Sequence, residues 1–161
     1  MALVNYLALE QPLIERLKEE VAHVNGHVFS VKDLAGVRQK AQRVPAIHVV
    51  YDGDDVLTGK HDRAGHGARM TTAETEYRSK QRVRQRWLVV TVVRNAAGEL
   101  ETGEAVRQSA GLIIQRTIEV LQGWQPLTRH KPFIRQPGPK PAYIDTFAYF
   151  PLLFTSEVMT P

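Results

Sequence analysis

The residues best equipped for chemistry lie between positions 52 and 66. Asp52, Asp54 and Asp55 are followed by His61, Asp62 and His66, a set of oxygen and nitrogen donors of the kind that holds divalent metal ions. Their spacing is not HExxH, in which a turn of helix presents two imidazoles to one ion. The segment carries Gly53, Gly59, Gly65 and Gly67 and few apolar residues, so nothing in it supplies the rigid support a metal site needs. It reads as a solvated loop, and a small metal-dependent hydrolase is the least favoured of the functions considered. His23, His27, His48 and His130 are scattered in sequence. His48 falls in an apolar strand pattern and reads as a hydrogen-bonded core residue, not a base. There is no phosphate-binding loop, dinucleotide fingerprint or nucleophile elbow. With no cysteine the chain forms neither disulfides nor thiolate metal sites. These residues point to a protein that is not an enzyme and uses no metal or cofactor.

The second chemical signal is basic. Arg82, Arg84 and Arg86 alternate with Val83, Gln85 and Trp87, which places three guanidinium groups about 7 Å apart along one face of a strand. Arg129, Lys131, Arg135 and Lys140 follow in a stretch, 120–144, in which Asp is absent and Glu does not occur. Such groups can track phosphates. The aromatic residues, however, sit in apolar strands and do not interleave with the cations as a base-stacking platform requires. Pairing of the ladder with carboxylates of a neighbouring subunit is the preferred reading.

These residues must be carried by a fold of 161 residues with 43% hydrophobic and 24% charged positions, the size and composition of one globular domain, 1–161. The net charge of +4 is read as solubility charge. The N-terminus has no basic region before its apolar residues and is not a signal peptide, and no apolar run approaches a membrane span. Residues 12–24 and 102–123 show helical periodicity, the second with Thr102 as N-cap and Gly123 as stop. Strands are expected at 27–31, 45–53, 81–95, 133–135 and 144–158, and 31–44 is expected to be a connector. Residues 54–79 read as a long arm joining two antiparallel strands. In the last strand Phe147 and Tyr149 face one way and Phe150 the other, and Pro151 predicts an edge strand or a bulge at that point. The fold class is α+β: a mostly antiparallel, mixed sheet with two helices on one face and a protruding arm.

Several stretches resemble the tail terminator (tail completion) proteins of long-tailed bacteriophages, in particular the Mu-like branch. They are LALEQPLIERLK, VPAIHVVYDG, QRWLVVTVVRN, GWQPL and YIDTFAYFPLLFTSE, together spanning about Leu7 to Glu157. The resemblance implies a structural subunit of the virion tail, assembled in the host cytoplasm. It implies a homo-oligomeric ring, usually a hexamer, at the head-proximal end. The ring would cap the tail tube, stop its elongation and meet the head–tail connector or neck protein. No catalytic or cofactor residues come with it, and nucleic acid would be met only by passage through the lumen. The expected interface residues are Arg82, Arg84, Arg86, Phe147, Tyr149 and Phe150. Another head–tail joining protein is the first alternative, and a nucleic-acid-binding module using the arginine ladder the second. On this reading the 54–79 arm orders against a neighbouring subunit or a tube subunit. Deletion of residues 58–76 is then expected to leave the thermal unfolding midpoint within a few degrees of the parent and to abolish tail joining in a complementation assay; infectious tails from the deletion would show the arm to be dispensable.

Overall fold

A computed structural model describes residues 5–40, 43–57, 81–95 and 103–160. Among the described residues three α-helices and six strands alternate as α1 (Glu10–Glu20), β1 (Val28–Ser30), α2 (Leu34–Lys40), β2 (Ala46–Leu57), β3 (Gln81–Arg94), α3 (Glu104–Leu121), β4 (Ile134–Gln136), β5 (Ala142–Ile144) and β6 (Phe147–Thr160). The six strands form one sheet in the order β1–β2–β3–β6–β4, with β5 also on β6. Only the β1–β2 pair is parallel. The sheet is therefore mixed and the class α+β, as the sequence predicts.

Period-two alternation gives each face of the sheet its own core. On one face Trp87, Val89 and Val93 of β3 meet Ile47 and Val49 of β2 and Phe150, Leu152 and Phe154 of β6. Leu13, Ile14 and Leu17 of α1 and Val106, Ala110, Ile113 and Leu121 of α3 cover them. The i, i+3, i+4 spacing of these helical residues is what turns one stripe toward the sheet. Phe133 lies within this core, edge-on to Phe154 at 6.5 Å between ring centroids. The opposite face buries Val50, Leu88, Val90, Val92 and Tyr149 under Val31 and Val37. Val37 belongs to α2, so the stretch expected as a connector is a short helix covering the second face. The two expected helices share one face, and a third lies on the other.

Three further expectations are corrected. First, β2 continues through Leu57, pairing Asp54–Leu57 with Gln85–Arg82. The first four residues assigned to the arm are thus strand; the rest of the arm, with His61, Asp62 and His66, lies outside the described residues, as does Thr102. Second, helix α1 begins at Glu10 and ends at Glu20, and Ala22–Val24 form a 3₁₀ turn before Asn25 and Gly26 reverse the chain in left-handed conformations. Third, β6 is not an edge strand. It pairs with β3 over its whole length, and on its other side with β5 at Phe147–Tyr149 and β4 at Leu153–Thr155. Pro151 is accommodated because Phe150–Leu152 lies in the gap between those two short partners. A proline-rich loop bridges the gap. At Gly138 it runs so close to β6 that a Cβ would sit 3.2 Å from the Leu153 backbone nitrogen.

His48 is fully buried, with its ring tilted against Phe29 at 5.4 Å between centroids. Trp87 is the largest fully buried side chain and touches Tyr51, 5.1 Å between centroids. Trp87→Ala should cost about 3–5 kcal/mol of stability, because a cavity is left between sheet and helices. Leu112→Ala, at a site 63% exposed on α3, should stay within about 0.5 kcal/mol of the parent. Urea denaturation of the two variants side by side measures both, and equal effects would contradict the packing described.

Candidate interaction surface

The arginine ladder lies on the α2 face of the sheet, at the end of β3 beyond the reach of α2. It is not a row of free cations. Glu157, opposite Arg84 on β6, is 19% exposed and pairs with Arg84 at 3.1 Å, Lys131 at 3.1 Å and, more loosely, Arg82 at 3.8 Å. Arg86 is held by Asp55 at 2.6 Å and Asp52 at 3.4 Å, and its second amino group donates to the Asp52 carbonyl at 2.9 Å. Carboxylate partners of the kind expected from a neighbouring subunit are thus also supplied within the chain.

Arg86 also fixes a bulge. Tyr51 pairs with Trp87 and Asp54 with Gln85, so Asp52 and Gly53 together oppose Arg86 alone. Gly53 has φ 87°, which suits glycine, and a Cβ there would press on the guanidinium at 3.4 Å. Past the bulge the alternation is inverted. Asp54 joins the α1 face, where its Oδ2 accepts hydrogen bonds from the hydroxyls of Tyr6 and Tyr51. Gln85, fully buried, donates to the Tyr6 carbonyl at 2.7 Å and ties this cluster to the N-terminal turn. Burial, then the Asp54 charge, push the Tyr51 hydroxyl pKa well up. The hydroxyls that meet Asp54 are neutral donors.

The three aromatic residues expected at an interface are placed mainly inside the subunit. Tyr149 is buried in the smaller core and Phe150 in the larger, while Phe147 is half-buried beside the smaller core. Within the subunit both faces of β6 are covered at Tyr149 and Phe150. What does reach solvent nearby is Tyr143 of β5, 45% exposed, with its ring edge-on to Phe150 at 6.0 Å. Tyr143 and the cleft formed by Ile114, Phe150, Leu152 and the proline-rich loop are features that sequence reasoning missed. Their one signal was the PGPKP run beside a strand that itself contains proline. Arg135, at this cleft, and Lys140, in the loop beside it, are exposed, and neither forms an ion pair among the described residues. Among those residues no group of His, Asp and Glu is arranged to hold a metal, and no helix is long and apolar enough to cross a membrane.

The carboxylate shared by three cations makes stability pH-dependent. Burial alone would raise the Glu157 pKa, but hydrogen bonds from Lys131 and Arg84 and the neighbouring positive charge outweigh it and hold the group below its ordinary 4.5. The folded state then binds fewer protons than the unfolded one. The resulting stabilisation is present above the unfolded pKa and is lost as pH falls through the folded value. Glu157→Gln should lower stability near neutrality by about 1–3 kcal/mol. It should also flatten the acid limb of the stability curve, measured by urea denaturation from about pH 3 to about pH 7; an unaltered acid limb would exclude Glu157 as its source.

No individually curated protein matches this chain. A family model described as phage tail terminator protein matches residues 3–161. The match takes in every element described above, and a structural role in the phage tail agrees with a surface that offers ion pairs, an open strand edge and an apolar cleft. This chain therefore belongs to the phage tail terminator family and is a component of the virion tail.

Proposed function

We propose that the chain is the subunit of a closed ring, a hexamer in the expected form, that seats on the head-proximal end of the tail tube. The ring stops tube growth and turns its other face to the head–tail connector. Family membership over residues 3–161 carries this reading. The sheet supports it, because its two edges are unlike. One edge is β1 and the uncovered part of β2; the other is β4 with the proline-rich loop. A subunit with unlike sides suits head-to-tail contacts, which close a ring when the rotation between copies is right. The ring's two axial faces then serve different partners, the tube on one side and the connector on the other. The Arg86 and Glu157 clusters act in this reading as internal braces that keep the free end of the sheet in shape.

Tube protein of the same phage, polymerised in vitro with rising amounts of this chain, should give progressively shorter tubes, each with a ring-shaped cap at one end in negative stain. Light scattering should show the mass of a closed oligomer either for the chain alone or once tube is present. Tube lengths that do not respond to the chain would refute the capping role.

A further inference from the structure

We infer that copies of this chain join edge to edge, the acidic outer edge of β2 in one copy seating on the basic-rimmed apolar cleft beside β6 in the next. This rests on the ring reading above and specifies which surfaces make the contact.

The first surface is an uncovered strand edge. β1 pairs only with Ile47–Val49, so the outer main chain of β2 from Val50 to Leu57 has no strand partner among the described residues. Unpaired edges are sites of further pairing unless something blocks them. Here the edge carries a bulge and three aspartates, and one guanidinium, that of Arg86, serves both Asp52 and Asp55. Among the described residues Asp54 is met by the hydroxyls of Tyr6 and Tyr51. Three carboxylates on this strand are thus set against one paired guanidinium, and next to them Val56 is 55% exposed.

The second surface lies at the opposite side of the sheet. The cleft, of about 540 Å³, is lined by Ile114, Phe150, Leu152 and prolines of the 137–141 loop, with Arg135 at its rim. Lys140 lies in the same loop, and Tyr143, edge-on to Phe150 and 45% exposed, extends the apolar surface. The cleft sits over Phe150–Leu152, where β6 has no outer strand partner. Each surface carries what the other lacks: one has three carboxylates to one paired guanidinium beside an exposed valine, the other unpaired cations around exposed apolar groups. The two surfaces lie on opposite sides of the same sheet, so a single operation repeated from copy to copy joins unlike to unlike, which an isologous pairing of like with like would not. A second copy is thus the occupant that both charge and placement favour.

The chain has no cysteine, so engineered thiols report contacts without background. Val56→Cys and Tyr143→Cys, combined in one chain and treated with a short bis-maleimide in the presence of tube protein, should give a covalent ladder extending to the full oligomer. Each single variant alone should give no covalent dimer, and the two singles mixed should give dimers and nothing larger. Arg135→Glu with Lys140→Glu should raise the concentration for half-assembly at least tenfold at low salt while leaving the thermal midpoint of the subunit unchanged. Light scattering on the same samples separates the two layers of the inference. Assembly without the Val56–Tyr143 ladder, with homodimers of one single variant, or with Val56 linked to tube protein instead would overturn the edge-to-edge contact and leave the ring standing. Failure to assemble in the presence of tube would overturn both.

Discussion

β3 is the strand from which every other placement follows. It is paired along both edges, with β2 on one side and β6 on the other, and from Leu88 to Val93 it is buried on both faces. A strand in that position cannot leave either face to water without exposing a row of Val and Leu side chains, each worth about 1.5–3 kcal/mol when buried. Two layers are therefore needed. α1 and α3 supply one, and α2 with the β5 segment supplies the other. The loop after α3 is drawn in by the same need. Phe133 fills the space beside Phe154, and the Phe133 N–H donates to the Trp124 carbonyl at 2.9 Å, closing the turn that delivers the chain to β4.

The other half of β3 has no such cover on one face, and charge replaces packing there. Arg82, Arg84 and Arg86 stand where Leu88, Val90 and Val92 stand further along. The ion pairs that engage them are partly exposed, and pairs of that kind contribute little singly. Their arrangement matters more than their number. Arg86 grips both the side chain and the carbonyl of Asp52 and so holds the bulge that inverts the alternation of β2. Without the inversion Asp54 would lie on the arginine face and Asp55 on the tyrosine face. One glycine and one guanidinium thus decide which carboxylate is neutralised and which stays available.

The sequence made the core legible and the far end of the sheet illegible, for identifiable reasons. The alternation from Arg82 to Trp87 and the helical stripe from Val106 to Leu121 are periodic signals, and the strand and helix stand where those signals put them. DGDD at 52–55 has no period, since a bulge breaks the count of two, so strand was read as arm. Residues 34–40 contain a glycine and only seven helical positions, too few for a stripe, and the helix there owes its place to Val37 being needed on the second face. Pro151 was a sound signal of an unpaired neighbour read at the wrong scale: the gap is three residues wide, not a whole edge. Burial of Tyr149 and Phe150 could not be inferred from alternation alone, because exposure depends on β5 and the proline-rich loop folding back over β6.

The fate of the arginine ladder shows how folding constrains what such a subunit can offer a partner. An intrachain carboxylate is held beside its cation at no cost in translational freedom, whereas a neighbour's must first be brought there and ordered. To take Arg84 or Lys131 from Glu157, an incoming carboxylate would also have to break a pair of the mostly buried Glu157, and an exposed pair returns little. Cations already engaged are therefore poor material for assembly. Arg135 and Lys140 have no competing intrachain acid among the described residues, so any carboxylate that reaches them adds its attraction in full. The same holds for Asp54, whose tyrosine partners are neutral donors. A strand rich in arginine is conspicuous in the sequence, but the charges free to direct association are those the fold leaves unmatched, and they lie on opposite sides of the sheet.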